Sequence, residues 1–293
     1  MHTIICKIFC ALLVVYSLTL LADANDVRLV RGFFEGGESL NLHLHSHAVT
    51  LDNGAEIVVK NVQSLQLGYR LDIATMDAMV YLFNSRDVQL CEAHTQVNEK
   101  LRGYIKRDQS QYLNSKVSHV LFDESLPIDS KLQHPTVLEI INSKSFLKCY
   151  RTVIPFFWID EWILVIIDTM TYTVHFVHPL YSTGIRDPST ADERCTVNVF
   201  LKGIIEAILQ TSTGEGYISG KWTFYLSLEE NGRATVINSI RTVVYDTEDS
   251  GLYVLFAMEC DYFDSSMFAP DCIHWSNFRT RMAYCLLNKQ LLF

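Results

Sequence analysis

An α+β domain is the fold class this sequence predicts, on three observations. The middle of the chain holds three β-rich runs in close succession, Tyr150 to Phe157, Trp162 to Asp168 and Tyr172 to Val177. Before them, apolar residues recur at helical spacing, and after them two apolar-rich helical segments close the chain. Helices first, a sheet in the middle and helices last is the α+β arrangement.

The elements follow in order. Leu40, Leu42 and Leu44 alternate with polar neighbours, which predicts a strand with one apolar side, and Ile57-Val58-Val59 predicts a second. From Asp72 to Phe83 the residues Ile73, Met76, Met79, Val80 and Phe83 share one helical face. A polar helix is expected over 92–103, a short strand from Val117 to Phe122, and a helix from Thr136 to Asn142 behind Pro135. The unbroken Val/Ile/Phe of the central runs implies strands covered on both faces. A helix is expected from about Cys195 to Leu209. Trp222 to Leu228 and Ala234 to Val244 read as a hairpin around Asn231-Gly232. Helices over about Ser250 to Tyr262 and His274 to Leu287 complete the chain.

Composition narrows the function classes. Of 293 residues 49% are hydrophobic and only 19% charged, enough apolar surface to offset the entropy of ordering, so a disordered chain is excluded. Lys+Arg number 24 against 33 Asp+Glu, a formal charge of −9. That balance argues against nucleic acid as the partner, because backbone binding draws on clustered Lys and Arg. With no repeat and no low-complexity linker, the organisation expected is a leader at 1–24, a strand-containing extension at 25–54 and one domain at 55–293.

The leader reads as a secretory signal. Lys7 precedes the apolar and small-residue run Ile8 to Leu21, and Ala22-Asp23-Ala24 puts small residues at the cleavage position. The run is short for a membrane span, so a membrane role is expected only if the signal stays uncut. Cleavage removes two of the eight cysteines and leaves Cys91, Cys149, Cys195, Cys260, Cys272 and Cys285 in a compartment that permits disulfides. No CxxC or CxxH cluster occurs, which argues against a cysteine zinc site.

Three local patterns carry candidate chemistry. His43, His45 and His47 alternate, so a strand would point all three imidazoles to one side; this is a weak candidate for zinc or copper, weighed against plain solvent-facing histidines. Glu161-Trp162 opens a buried run, and the strand after it ends in His178-Pro179-Leu180. Asp249-Ser250-Gly251 opens the apolar run Leu252 to Phe256, where Ser250 is either a helix N-cap or a nucleophile at a helix N-terminus.

Taken together, these residues resemble a known family. Ile154-Pro155, Trp162 with Leu164, Ile167 and Asp168 behind it, Leu180, and Asp249-x-Gly251-Leu-Tyr-Val-Leu are similar to the ubiquitin-like-specific (SUMO) proteases, adenain/papain-like cysteine peptidases. Ser64-Leu65 through Gly68, Leu71 and Asp72 to Tyr81-Leu82 resembles that family's opening segment, and Phe278-Arg279 to Met282 its last helix. The resemblance spans roughly 55–290 and implies the papain-like/adenain-like fold, a central mixed β-sheet flanked by helices. It also places the family's functional positions. The general-base His falls at Glu161, the orienting Asp at His178, the nucleophilic Cys at Ser250 and the oxyanion Gln at about Val244. All four depart from the family pattern.

That set is poorly suited to proteolysis. A helix dipole helps to ionise a thiol, but a serine hydroxyl needs a contacting base, and a carboxylate with an ordinary pKa is a weak one. With carboxylate in the middle and imidazole outside, the order reverses a Ser-His-Asp relay, and His175 falls on the other face of its strand from His178. Val244 has no side-chain donor for an oxyanion. The reading is a secreted, catalytically inactive relative that binds a protein or peptide, the ubiquitin-like kind included, with Trp158, Trp162 and Trp222 as binding candidates and no cofactor. The alternatives are an active deSUMOylase- or deubiquitinase-like hydrolase with a rearranged Ser or Cys nucleophile, and a metal-binding protein using the three histidines.

Overall fold

The computed structural model describes residues 30, 47–66, 69–97, 110–121, 123, 125–142, 149, 151–158, 161–177, 202–211, 221–226, 250–262, 275–289 and 291. Its centre is a five-stranded sheet of β3 (Ser110–Tyr112), β4 (Arg151–Trp158), β5 (Glu161–Asp168), β6 (Thr173–Val177) and β7 (Thr223–Leu226), in that spatial order. β4, β5 and β6 are antiparallel neighbours, while β3 joins β4 and β7 joins β6 in parallel. The sheet is therefore mixed, as the resemblance implies. Ahead of it β1 (His47–Thr50) pairs antiparallel with β2 (Glu56–Val58) through a tight loop whose Gly54 sits at φ 83, a conformation glycine adopts at no steric cost.

Side-chain alternation on the central strands sorts the apolar residues into two cores. Val153, Trp162, Leu164 and Ile166 face one side, and Ile154, Phe156, Ile163, Val165, Ile167, Val174 and Phe176 face the other. The first core is closed by α1 (Val59–Gln63), α2 (Ile73–Val97), α7 (Ser250–Tyr262) and α8 (Trp275–Leu287). The second is closed by α3 (Lys116–Leu121), α5 (Pro135–Ile141) and a helix α6 over 202–211, with α4 (Ile128–Leu132) beside α5. Both faces of β5 are thus covered, which is why it reads as a continuous apolar run. Val30, Val49 and Leu51, from the segment read as an extension, also belong to the first core.

Several sequence expectations change. Val117 to Phe122 is not a strand: Lys116–Leu121 is helical. Val117, Val120 and Leu121 lie at i, i+3 and i+4 and all reach the second core. The start of α3 is fixed by side chains, Asn114 Oδ1 accepting the Lys116 N–H at 2.7 Å and Asp77 Oδ1 accepting both the Ser115 N–H and its hydroxyl. The helix expected from Asp72 runs on to Val97, absorbing the start of the polar helix read at 92–103. Asp72 caps it, Oδ1 accepting the Thr75 N–H at 2.7 Å. Val59 opens α1 rather than extending β2. The strand at Leu40 to Leu44, residues 98–103, residues 195–201 and the hairpin partner Ala234 to Val244 lie outside the described residues.

Candidate functional site

The N-terminus of β5 and the N-terminus of α7 meet at a packed joint. Trp162 is fully buried, and its indole N–H donates to the Leu71 carbonyl at 2.9 Å. Its backbone N–H donates to Ser250 Oγ, also at 2.9 Å. β6 pairs with β5 as far as Val177 opposite Leu164, and two residues before Leu164 the Ser250 hydroxyl is the acceptor of the strand N–H. Gly251 makes the approach possible. A Cβ there would stand 2.6 Å from Leu71 Cβ and 2.7 Å from Trp162 Cδ1, closer than side-chain atoms pack.

Two of the four positions implied by the resemblance come together here. Ser250 touches the backbone of the residue that follows Glu161, and both side chains are buried, Ser250 at 0% exposure and Glu161 at 8%. Glu161 pairs with Trp158 across the β4–β5 turn. His178 and Val244 lie outside the described residues. His175 does not belong to the joint: it pairs with Ile166, five residues along β5 from Glu161, a separation of about 17 Å. Burial lowers its pKa; Asp168 pulls the other way and Arg151 adds to the lowering, leaving the imidazole neutral-favouring.

Other candidates separate as well. Trp162 is core rather than a contact surface. Trp222 precedes Thr223, which pairs with Thr173 and through it with Asp168, so Trp222 sits at the other end of the sheet, about 23 Å along β5 from Glu161. It packs against the second core, edge-on to Tyr172 at 5.4 Å. Trp158 ends β4 beside Glu161. His47 is exposed on β1, with Nε2 at 2.6 Å from Thr50 Oγ1, while His43 and His45 lie outside the described residues. Among the described residues no three His, Cys, Asp or Glu side chains cluster to hold a metal ion, and no helix is long and apolar enough to cross a membrane.

Sequence reasoning missed one buried polar group near the joint. Glu259, two turns and more along α7 from Ser250, is fully buried between Arg86 of α2 and Arg281 of α8. Arg86 Nη1 lies 3.0 Å from each carboxylate oxygen, and its guanidinium stacks over the Phe83 ring at 5.0 Å. Burial pushes the Glu259 carboxyl upward, but the two guanidiniums outweigh it and hold the pKa below the ordinary carboxylate range. The signal was present: a Glu after the apolar run 252–258, and an Arg three residues beyond Phe83.

No protein-family model and no curated protein matches the chain. Solved structures do match it. The catalytic domain of the Ulp1-like SUMO protease of Chaetomium thermophilum superposes with a TM-score of 0.61 at 12% identity, covering 93% of this chain and 92% of that one. The C-terminal Ulp1 protease domain in complex with Smt3, the yeast ortholog of SUMO, gives 0.58 at 13% identity, covering 93% and 98%. SUMO protease Ulp1 with its catalytic cysteine oxidised to a sulfenic acid gives 0.57 at 14%, covering 94% and 99%. Identities this low speak for the fold, and on that ground the chain has the α+β fold of the Ulp1-like SUMO protease catalytic domains.

Proposed function

We propose that the chain is a catalytically silent, exported relative of the ubiquitin-like-specific cysteine proteases, and that it binds a ubiquitin-like protein at the surface around the β5–α7 joint. The observation that carries this reading is the state of Ser250. A nucleophile must be reachable and must be able to hand its proton to a base, whereas the Ser250 hydroxyl is fully buried and serves as acceptor for the Trp162 N–H. Glu161, the neighbouring group, is a carboxylate where the resemblance puts an imidazole.

A ubiquitin-like partner is supported by the Smt3 complex of the Ulp1 domain that shares this fold. Export is supported by the apolar run Ile8 to Leu21 followed by Ala22-Asp23-Ala24. An N-terminus at Asn25 on the natural protein supports export, and one at Met1 counts against a cleaved signal.

The deciding experiment exposes purified protein to a fluorophosphonate and to a ubiquitin-like vinyl sulfone, with calorimetric titration of a ubiquitin-like protein alongside. Saturable binding without labelling is expected. Stoichiometric labelling that disappears in Ser250→Ala makes the chain a serine hydrolase and overturns the reading. A companion variant tests the assignment of positions: Glu161→His, His178→Asp, Val244→Gln and Ser250→Cys combined should gain thiol peptidase activity, and a well-folded but inert product removes the basis for these assignments.

A further inference from the structure

At the end of the sheet remote from Ser250, a row of aromatic rings meets two lysines. Tyr172, at φ 55 in the turn before β6, packs edge-on to Trp222, and the Thr223 N–H ties the two segments by donating to the Tyr172 carbonyl at 2.9 Å. Phe224 of β7 stacks on Phe176. Lys221 Nζ lies 3.6 Å from the centre of the Tyr172 ring, and Lys202 Nζ of α6 lies 5.4 Å from that of Phe224. The Tyr172, Trp222 and Phe224 rings are half-buried, Phe176 is buried, both lysines are exposed, and Met170 in the same turn as Tyr172 is 59% exposed.

The charge pattern makes this surface unusual. The chain carries nine more carboxylates than cations, yet among the described residues neither lysine is paired with a carboxylate. Glu206 lies one turn along α6 from Lys202 without pairing to it, and Asp168 is turned to Arg151 and to the backbone of Met170 and Thr171. Each ammonium rests on a ring face, an arrangement worth about 0.5–1 kcal/mol at an exposed site. It leaves the donor protons directed away from the ring available to an anion. Distant carboxylates contribute little repulsion, because the Debye length is about 8 Å at physiological ionic strength.

We propose that Tyr172, Trp222 and Phe224, flanked by Lys202 and Lys221, form a docking surface for a short acidic peptide segment of a partner protein, its carboxylates on the two ammoniums and an apolar side chain against the half-buried rings. Charge complementarity selects this occupant: among the described residues two exposed ammoniums without a carboxylate partner flank the rings, on a chain of formal charge −9. The site is separate from the β5–α7 joint and does not depend on the function proposed for it.

The test titrates the full chain with a short synthetic peptide alternating Glu and Leu, and with a Lys–Leu counterpart, following heat and tryptophan emission. The Glu–Leu peptide is expected to bind, to weaken with added salt, and to lose about fivefold in affinity with either Lys202→Gln or Lys221→Gln. Lys60→Gln, at an exposed lysine of α1, should leave affinity unchanged, and Trp222→Phe should remove the emission change. Both lysines are exposed, so their variants keep the fold, which a thermal melt checks. Equal binding of the Lys–Leu peptide, no binding of either, or binding indifferent to both lysines overturns the proposal. Lysine-dependent binding that prefers an oligonucleotide or an anionic vesicle does so too, by assigning the surface to a polyanion.

Discussion

Ser250 and Gly251 both act where α7 meets β5, one through its hydroxyl and the other through the side chain it lacks. From sequence, a serine beside a glycine at a helix start is both an N-cap and a nucleophile candidate. The structure gives the hydroxyl an acceptor's role toward another element, the Trp162 N–H of β5. Ser250→Ala therefore leaves that strand N–H without this acceptor and should destabilise the fold by about 1–3 kcal/mol in urea titration. Gly251→Ala should be at least as harmful, since its methyl would meet Leu71 and Trp162 at 2.6 and 2.7 Å; overpacking of this kind costs about 1–3 kcal/mol. A silent Gly251→Ala would mean that α7 does not approach Trp162 this closely. Residue identity revealed the joint, because Trp, Gly and Leu stood at the spacings of a known scaffold. It could not reveal which partner the hydroxyl takes, since that partner is 88 residues away in the chain.

At the scale of elements, α7 is the piece that carries the joint, and the buried Arg86–Glu259–Arg281 group ties it to α2 and α8. Replacing one member strands the others: Glu259→Gln leaves two guanidiniums in the core without their counter-charge and should cost about 3–5 kcal/mol by chemical denaturation. Substituting all three residues by apolar ones of similar volume should recover much of that loss, which separates the charge effect from packing. The same scale explains where periodicity failed. Val117 to Phe122 is rich in β-branched and apolar residues and reads as a strand. What decides the matter is Asn114 and Asp77, whose carbonyl and carboxylate oxygens cap a helix start, and Asp77 lies 38 residues upstream. β4 and β5 were legible because both faces of each are buried, so their signal does not depend on knowing what covers them.

Across the whole molecule, acid sensitivity follows from which groups the fold holds away from their ordinary pKa. The sign is the same for three of them. His175, neutralised chiefly by burial, has its folded pKa below the ordinary 6.5, so its contribution is fully present above that value and is lost as pH falls from there. Glu259 is held low by Arg86 and Arg281 against its own burial, and Asp168 by Thr171, Arg151 and Met170 against its burial. Their contributions are present above the ordinary carboxylate range and vanish as pH drops through the lowered values. Stability measured against pH should therefore fall in two stages, a shallow one below about 6.5 and a steeper one below about 4.5. His175→Gln should remove the first stage alone, and a single drop confined to the carboxylate range in the parent protein would contradict the part given to His175.

The far edge of the sheet shows what one amide can do for a molecule of this kind. Asn84, on α2, donates to the Tyr112 carbonyl at 2.8 Å and accepts the Tyr112 N–H at 3.0 Å, the two bonds that an adjoining strand would otherwise supply to that residue. A helix side chain thus impersonates a sixth strand at β3. Any chain arriving to extend the sheet there would first have to displace it, and so the protein carries within its own sequence a guard against stacking edge to edge with copies of itself.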